Sequence, residues 1–188
     1  MGDIGTQSPL RAAAVGGLVS VGMLLVVGGL SLAFGEPLLF PSLGPTIFMQ
    51  MQTPPARTAR VWNILIGHGV GVIAAAAALA VTGAMHTPPP IATSVISWQR
   101  ELASALAVGF TIAGQVPLRA VHPPAAATTL LITLGAINPE WRAIAVIAVG
   151  VVMTAILGEA GQFFLAKAVP LQPVQPTQRH YGGGSGPA

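Results

Sequence analysis

Residues 38–52 read LLFPSLGPTIFMQMQ, and residues 123–137 read PPAAATTLLITLGAI. These two stretches decide the fold. Each is apolar over 15 residues and is opened or broken by proline. A helix of that length reaches only about 22 Å, short of the roughly 30 Å hydrocarbon core of a bilayer. Longer apolar runs flank them at residues 12–34, 61–85, 101–116 and 141–166. The reading is an all-α polytopic membrane protein, with four long transmembrane helices and two short proline-led helices that either cross or re-enter. In both cases the short segments must be shielded by protein or line a watery cavity, because broken backbone is not tolerated against lipid.

Composition closes off the alternatives. Hydrophobic residues make up 53% of the 188-residue chain and charged residues 7%, with a mean hydropathy of +0.74. Soluble domains carry roughly a quarter of their residues as charge, and disorder needs low hydrophobicity with high net charge. Eight Lys/Arg against five Asp/Glu, spread singly, make no footprint for nucleic acid. Cysteine is absent, which removes disulfides, a thiol nucleophile and thiolate metal sites. Phosphate loop, HExxH and nucleophile-elbow patterns are missing as well. No enzymatic activity, cofactor or metal is expected. The first apolar run is longer than the 7–15 residues of a signal-peptide core, so a retained helix is expected there.

Charge bias bears on the crossing count. Six crossings put Arg11, Arg57, Arg60, Arg119, Lys167 and Arg179 on one side and Arg100 and Arg142 on the other, whereas four crossings divide them four against four. The positive-inside rule favours six, with both termini in the cytoplasm. A long, short, long order covers residues 12–85 and recurs over residues 101–166, joined by a proline-rich loop at residues 86–100. With three crossings each, the halves form an inverted repeat, and short interrupted segments at matching places point to a binding site at the membrane midplane. Residues 1–11 read as a cytoplasmic N-terminus and residues 167–188 as a disordered cytoplasmic tail.

Candidate residues follow from this plan. Pro41 and Pro45 suit a helix start, and Ser42 and Thr46 suit its cap, with Gly44 between them. A helix start offers amides and a positive dipole end to an anion. The second short segment opens at His122-Pro123-Pro124 and continues to Thr128-Thr129. His122 brings a donor or a titrating proton. His68, between Gly67 and Gly69, and Gln115 are further polar groups inside long runs. Intramembrane ionisable groups are functional candidates by default, which adds Glu159 as a possible proton relay alongside His122. Arg57, Arg60 and Arg119 can concentrate an anion at an entrance. Small residues at Gly17, Gly28 and positions 74–78 suit close helix packing and a homodimer or larger homo-oligomer in contact with membrane lipid.

The ordered set Pro41-Ser42-Leu43-Gly44-Pro45-Thr46, Pro54-Pro55-Ala56-Arg57 with Arg60, Gly67-His68-Gly69-Val70-Gly71 and His122-Pro123-Pro124-Ala125-Ala126-Ala127-Thr128 resembles the HPP family of integral membrane proteins over residues 12–166. The resemblance implies a small protein with about four transmembrane helices. It also implies kinship with plant and cyanobacterial members that carry nitrite, and it marks Pro41, Ser42, Gly44, Pro45, Thr46, Arg57, Gly67, His68, His122, Pro123 and Pro124. The expected function is transport of a small inorganic anion, nitrite by resemblance, in the plasma (cell inner) membrane. A passive anion channel and a non-transporting structural or regulatory subunit are the alternatives.

Overall fold

A backbone removed from water must bond to itself, and the apolar runs do so as helices. The computed structural model describes residues 9–52 and 56–169. Its helices are α1 (Pro9–Phe34), α2 (Leu43–Gln52), α3 (Val61–Thr82), α4 (Pro90–Thr93), α5 (Trp98–Gln115), α6 (Ala125–Thr133) and α7 (Trp141–Ala168), with 3-10 turns at Arg57–Ala59 and Ala84–His86. No strand occurs among the described residues. The expectations for residues 1–8, for Pro54 and Pro55, and for the tail from residue 170 fall outside them.

Three helices are long and apolar enough to cross a bilayer: Leu10–Phe34, Val61–Thr82 and Trp141–Ala168. α5, the fourth expected span, is not among them. α5 has 18 residues, but Gln99, Arg100, Glu101, Ser104, Thr111 and Gln115 dilute its apolar content. Ser97 caps it, accepting a hydrogen bond from the Arg100 amide at 3.3 Å.

Both short segments run from one end of the bundle to the other. The first leaves α1 at Glu36, whose carboxylate pairs with Arg142 at the start of α7, 2.6 Å away. It finishes at Gln52, whose amide lies about 4.0 Å from where a Cβ on Gly16, early in α1, would sit. The second begins at Arg119, past α5, where the Asn63 side chain near the start of α3 donates to the Arg119 carbonyl at 3.3 Å. It ends at Thr133, whose carbonyl accepts from Arg100 at the start of α5. The reach that a 15-residue helix lacks comes from non-helical chain. Residues 37–40 precede the turn into α2, beginning with a tight turn at Pro37 in which the Leu38 amide bonds the Glu36 carbonyl at 2.8 Å.

α3 packs against α5, α6 and α7, while α1 touches only α2 and α7 among the helices with substantial contact. Val27, Leu43, Ile64, Leu79, Ile132 and Val151 fill the apolar core. Glycines on the long helices seat the short segments. A Cβ on Gly67 would stand 2.7 Å from the Cβ of His122, and one on Gly71 would stand 2.8 Å from the hydroxyl of Thr129. On α7, Gly158 leaves the space filled by the Gln50 amide, and Gly161 abuts Met51. Close approach of this kind drives helix association in lipid, where apolar burial has no solvent penalty to relieve. Within the alanine run, Ala74, Ala75 and Ala78 are buried in the chain's own core, so these three are not free for packing between copies.

Candidate functional site

Non-helical backbone inside a bundle leaves amides and carbonyls without helical partners, and here polar side chains take their place. Asn63 donates to the carbonyls of Arg119 at 3.3 Å and Val121 at 3.0 Å. The Gln115 oxygen accepts from the His122 amide at 3.0 Å, and its nitrogen donates to the Gly67 carbonyl at 3.3 Å. The turn before α1's partner segment is held by Ser31, which donates to the Glu36 carbonyl and accepts from the Leu38 amide at 3.0 Å.

These clamps hold a polar cluster where the two short segments pass. The segments run antiparallel, so Ser42 meets Thr128 and Thr46 meets His122. The Ser42 and Thr128 hydroxyls are hydrogen bonded at 2.6 Å, and the Thr46 hydroxyl lies 3.1 Å from His122 Nε2. All four residues are 0% exposed. The His68 and His122 rings stand 5.0 Å apart between centroids.

Hydrogen-bond geometry constrains the protons. A carbonyl can only accept, so His122 Nδ1–H donates to the Thr58 carbonyl at 2.8 Å and His68 Nδ1–H donates to the Ile64 carbonyl at 2.9 Å. Neutral His68 therefore presents Nε2 as an acceptor, and that atom has no partner among the described residues. The Thr46 hydroxyl also lies 3.0 Å from the Ser42 carbonyl. With one proton, it donates either to that carbonyl or to His122 Nε2. A neutral His122 receives the Thr46 proton; a protonated His122 donates to Thr46 and turns its hydroxyl to Ser42.

A seam of hydrogen bonds between α5 and α6 runs from this cluster toward the opposite end. Thr111 bonds Thr129 at 3.0 Å, and Ser104 donates to the Thr133 hydroxyl at 2.8 Å. Arg100 then donates to the Thr133 carbonyl at 2.8 Å. His68 is seven residues past Val61, where α3 begins, or about 10 Å along the helix. The Ser42–Thr128 pair lies about one helical turn further in, with Thr129 seated at Gly71.

A model of the HPP transmembrane region matches residues 5–166. The chain belongs to the HPP transmembrane family. No curated protein and no solved structure gives a significant match. The His-Pro-Pro triplet of this HPP protein places His122 in the cluster, while Pro123 and Pro124 form the turn into α6. The first-turn amides of α6 do not stay open. Those of Ala125, Ala126 and Ala127 bond the carbonyls of His122, Pro123 and Pro124 at 3.0, 3.0 and 3.1 Å. The offer of free amides expected there is corrected: local turns consume them, and side chains carry the polarity.

The remaining candidates separate by face. Gly44, Pro41 and Pro45 are exposed, and nothing lies within 4 Å of a Cβ built on Gly44. Successive helix positions point about 100° apart, so Gly44 cannot share the inward face of Ser42 and Thr46. Thr129 faces α5 and α3 one position beyond Thr128, and Gln115 clamps backbone. Arg57, Arg60 and Arg119 are exposed around the Thr58 and Asn63 end of the bundle. Glu159 is exposed on α7, apart from the cluster.

Several polar residues escaped the sequence reading. Gln50 continues the stripe of Ser42 and Thr46 at i+4 intervals and is 0% exposed. Ser104 and Thr111 likewise extend a stripe on α5 that ends at the candidate Gln115. Helical spacing among the polar residues, rather than proline motifs, was the available signal. His68 also lines an apolar cleft of about 370 Å³ between α3 and α7, with Leu65, Val72, Ile147 and Val151. Among the described residues no group of three or more His, Cys, Asp or Glu gathers as a metal set.

Proposed function

We propose that this HPP protein carries a small inorganic anion across the membrane, with nitrite the favoured cargo by family resemblance. The observation that supports it best is the buried meeting of Ser42, Thr46, His122 and Thr128 between two interrupted segments. Hydroxyls and an imidazole able to donate are the groups a dehydrated anion needs. Exposed Arg57, Arg60 and Arg119 at the nearer end raise the local anion concentration. Complete burial of the four residues favours a carrier with an occluded site over an open channel.

The transport plan is six crossings in two inverted halves, α1–α2–α3 and α5–α6–α7. Exchange of α1 with α5, α2 with α6 and α3 with α7 supports it. This exchange turns the α3·α5 contact into α7·α1, α3·α6 into α7·α2 and α5·α6 into α1·α2, and all of these occur. Both termini lie in the cytoplasm of a plasma (cell inner) membrane in this reading. Copies assemble through α1, where Leu18, Leu25 and Leu32, spaced by seven, are 73%, 69% and 87% exposed.

The test is initial-rate nitrite uptake into liposomes holding only this protein, against empty liposomes, well above the pKa of nitrous acid. Saturable, protein-dependent uptake is expected. His122→Asn keeps a donor at the Nδ1 position for Thr58 and removes Nε2 from Thr46. It is expected to lower uptake at least about tenfold, the equivalent of about 1.4 kcal/mol, and to flatten its pH dependence. Equal uptake at every pH would remove His122 from the mechanism. No flux of nitrite, nitrate, formate or chloride would shift the reading to a non-transporting subunit.

A further inference from the structure

We propose that Arg100 forms a second binding site for a small inorganic anion, at the end of the bundle opposite Arg57, Arg60 and Arg119. The inference rests on the reading of the protein as an anion carrier, and it places a station at the other mouth.

Arg100 is 5% exposed. Its guanidinium donates through Nε to the Thr87 hydroxyl at 3.1 Å, through Nη1 to the Thr133 carbonyl at 2.8 Å and through Nη2 to the Thr87 carbonyl at 2.9 Å. Every acceptor is neutral. The ion pair of Glu36 with Arg142 lies elsewhere, and no carboxylate among the described residues neutralises Arg100. A guanidinium has five N–H groups, and one on each Nη remains without an acceptor among the described residues. Burying an unpaired charge is costly. Its place in the first turn of α5 is also the end of the helix where the dipole disfavours a cation. The C-terminal carbonyl of α6 offsets part of this, yet a structural staple does not require a permanent charge.

Arg100 lines a cleft of about 250 Å³ together with Asn138, Pro139 and Glu140. That space suits a nitrite, nitrate or halide, and a fork of two N–H groups matches two oxygens of an oxyanion. Glu140, exposed on the same wall, supplies a carboxylate that competes with the anion for Arg100. Arg100 also ends the hydroxyl seam, being bonded to the residue that Ser104 contacts. An anion released from the cluster thus has a polar line leading to a buried positive charge.

The test is thermal unfolding of the full chain purified in detergent. Sodium nitrite is titrated against sodium gluconate at constant ionic strength. A ligand that binds the folded state raises Tm with concentration. The wild type is expected to show a saturable rise. Glu140→Gln should lower the half-saturating nitrite concentration about threefold, and Arg100→Gln should raise it at least about tenfold. A folded Arg100→Gln with wild-type half-saturation overturns the site. If that variant does not fold, an unchanged Glu140→Gln titration overturns it, as does a flat wild-type titration. Flux in liposomes is read separately. Flux without the Arg100-dependent titration sinks only this site, whereas the titration without flux sinks the carrier reading and leaves the site standing.

Discussion

The seat of α6 on α3 and α5 differs from the seat of α2 on α7 in how its polar atoms are paired. Around α6, Thr128, Thr129, Thr133, Gln115 and His122 all have hydrogen-bond partners. Around α7, Gln50 Oε1, Thr154 Oγ1 and Gln162 Nε2 have none among the described residues. The fourth such atom, His68 Nε2, belongs to a residue that lines the cleft between α3 and α7. An unpaired buried polar group costs about 1–3 kcal/mol. The α6 side is thus the more fully hydrogen-bonded seat, and the α7 side carries the buried polar atoms that have no protein partner among the described residues.

The largest expected effect comes from filling the glycine seats. A Cβ on Gly67 meets the Cβ of His122 at 2.7 Å and the Ala120 carbonyl at 3.2 Å, both rigidly placed. Gly67→Val should cost about 3 kcal/mol through overpacking and lower the yield of folded protein. Gly158→Ala meets the far end of the Gln50 side chain, which can swing away, so a loss of about 1 kcal/mol is expected. Denaturant unfolding in detergent micelles reads both. Equal losses would erase the distinction between a rigid and a yielding seat.

A matched pair of substitutions sharpens the same contrast. Gln115→Met removes the clamp on the His122 amide and the bond to Gly67, leaving buried backbone groups unpaired. A loss of about 2 kcal/mol is expected. Gln50→Met, of similar volume, removes an acceptor without a partner and one weak bond to the Ala155 carbonyl at 3.4 Å. Its stability should hold or rise by about 1 kcal/mol, while anion uptake falls. A destabilised Gln50→Met with normal uptake would make Gln50 an ordinary core residue.

How much of this was legible follows from which physical signal each feature left. Uninterrupted apolar runs mark α1, α3 and α7, and the start of α3 at Val61 and of α7 at Trp141 coincide with the sequence boundaries. The passage of both short segments from end to end was open in the sequence, because 15 residues were measured as helix, whereas residues 38–40 of the first are non-helical. Proline motifs drew attention to Ser42, Thr46, His122 and Thr128, which the fold brings together. They also drew in Gly44, whose outward face follows from helix phase. Arg100 read as an interfacial arginine; its burial depends on Thr87 and Thr133, which no local pattern links to it.

The smallest expected effect belongs to Glu159. It stands 18 residues past Trp141 on α7, about 27 Å along the helix, close to the thickness of a hydrocarbon core. Trp141 is 81% exposed, and tryptophan favours the membrane–water interface. With Trp141 at one interface, Glu159 reaches the other, where its carboxylate keeps its water. Lys167 does not draw it inward, since its ammonium sits 4.2 Å over the Phe163 ring. Glu159→Gln should therefore leave uptake within about twofold of wild type, with and without a pH gradient, and shift stability by no more than about 0.5 kcal/mol. If the variant instead abolished the response of uptake to a pH gradient, Glu159 would be a proton relay, and the α7 side would supply a titrating group as well as unpaired polar atoms.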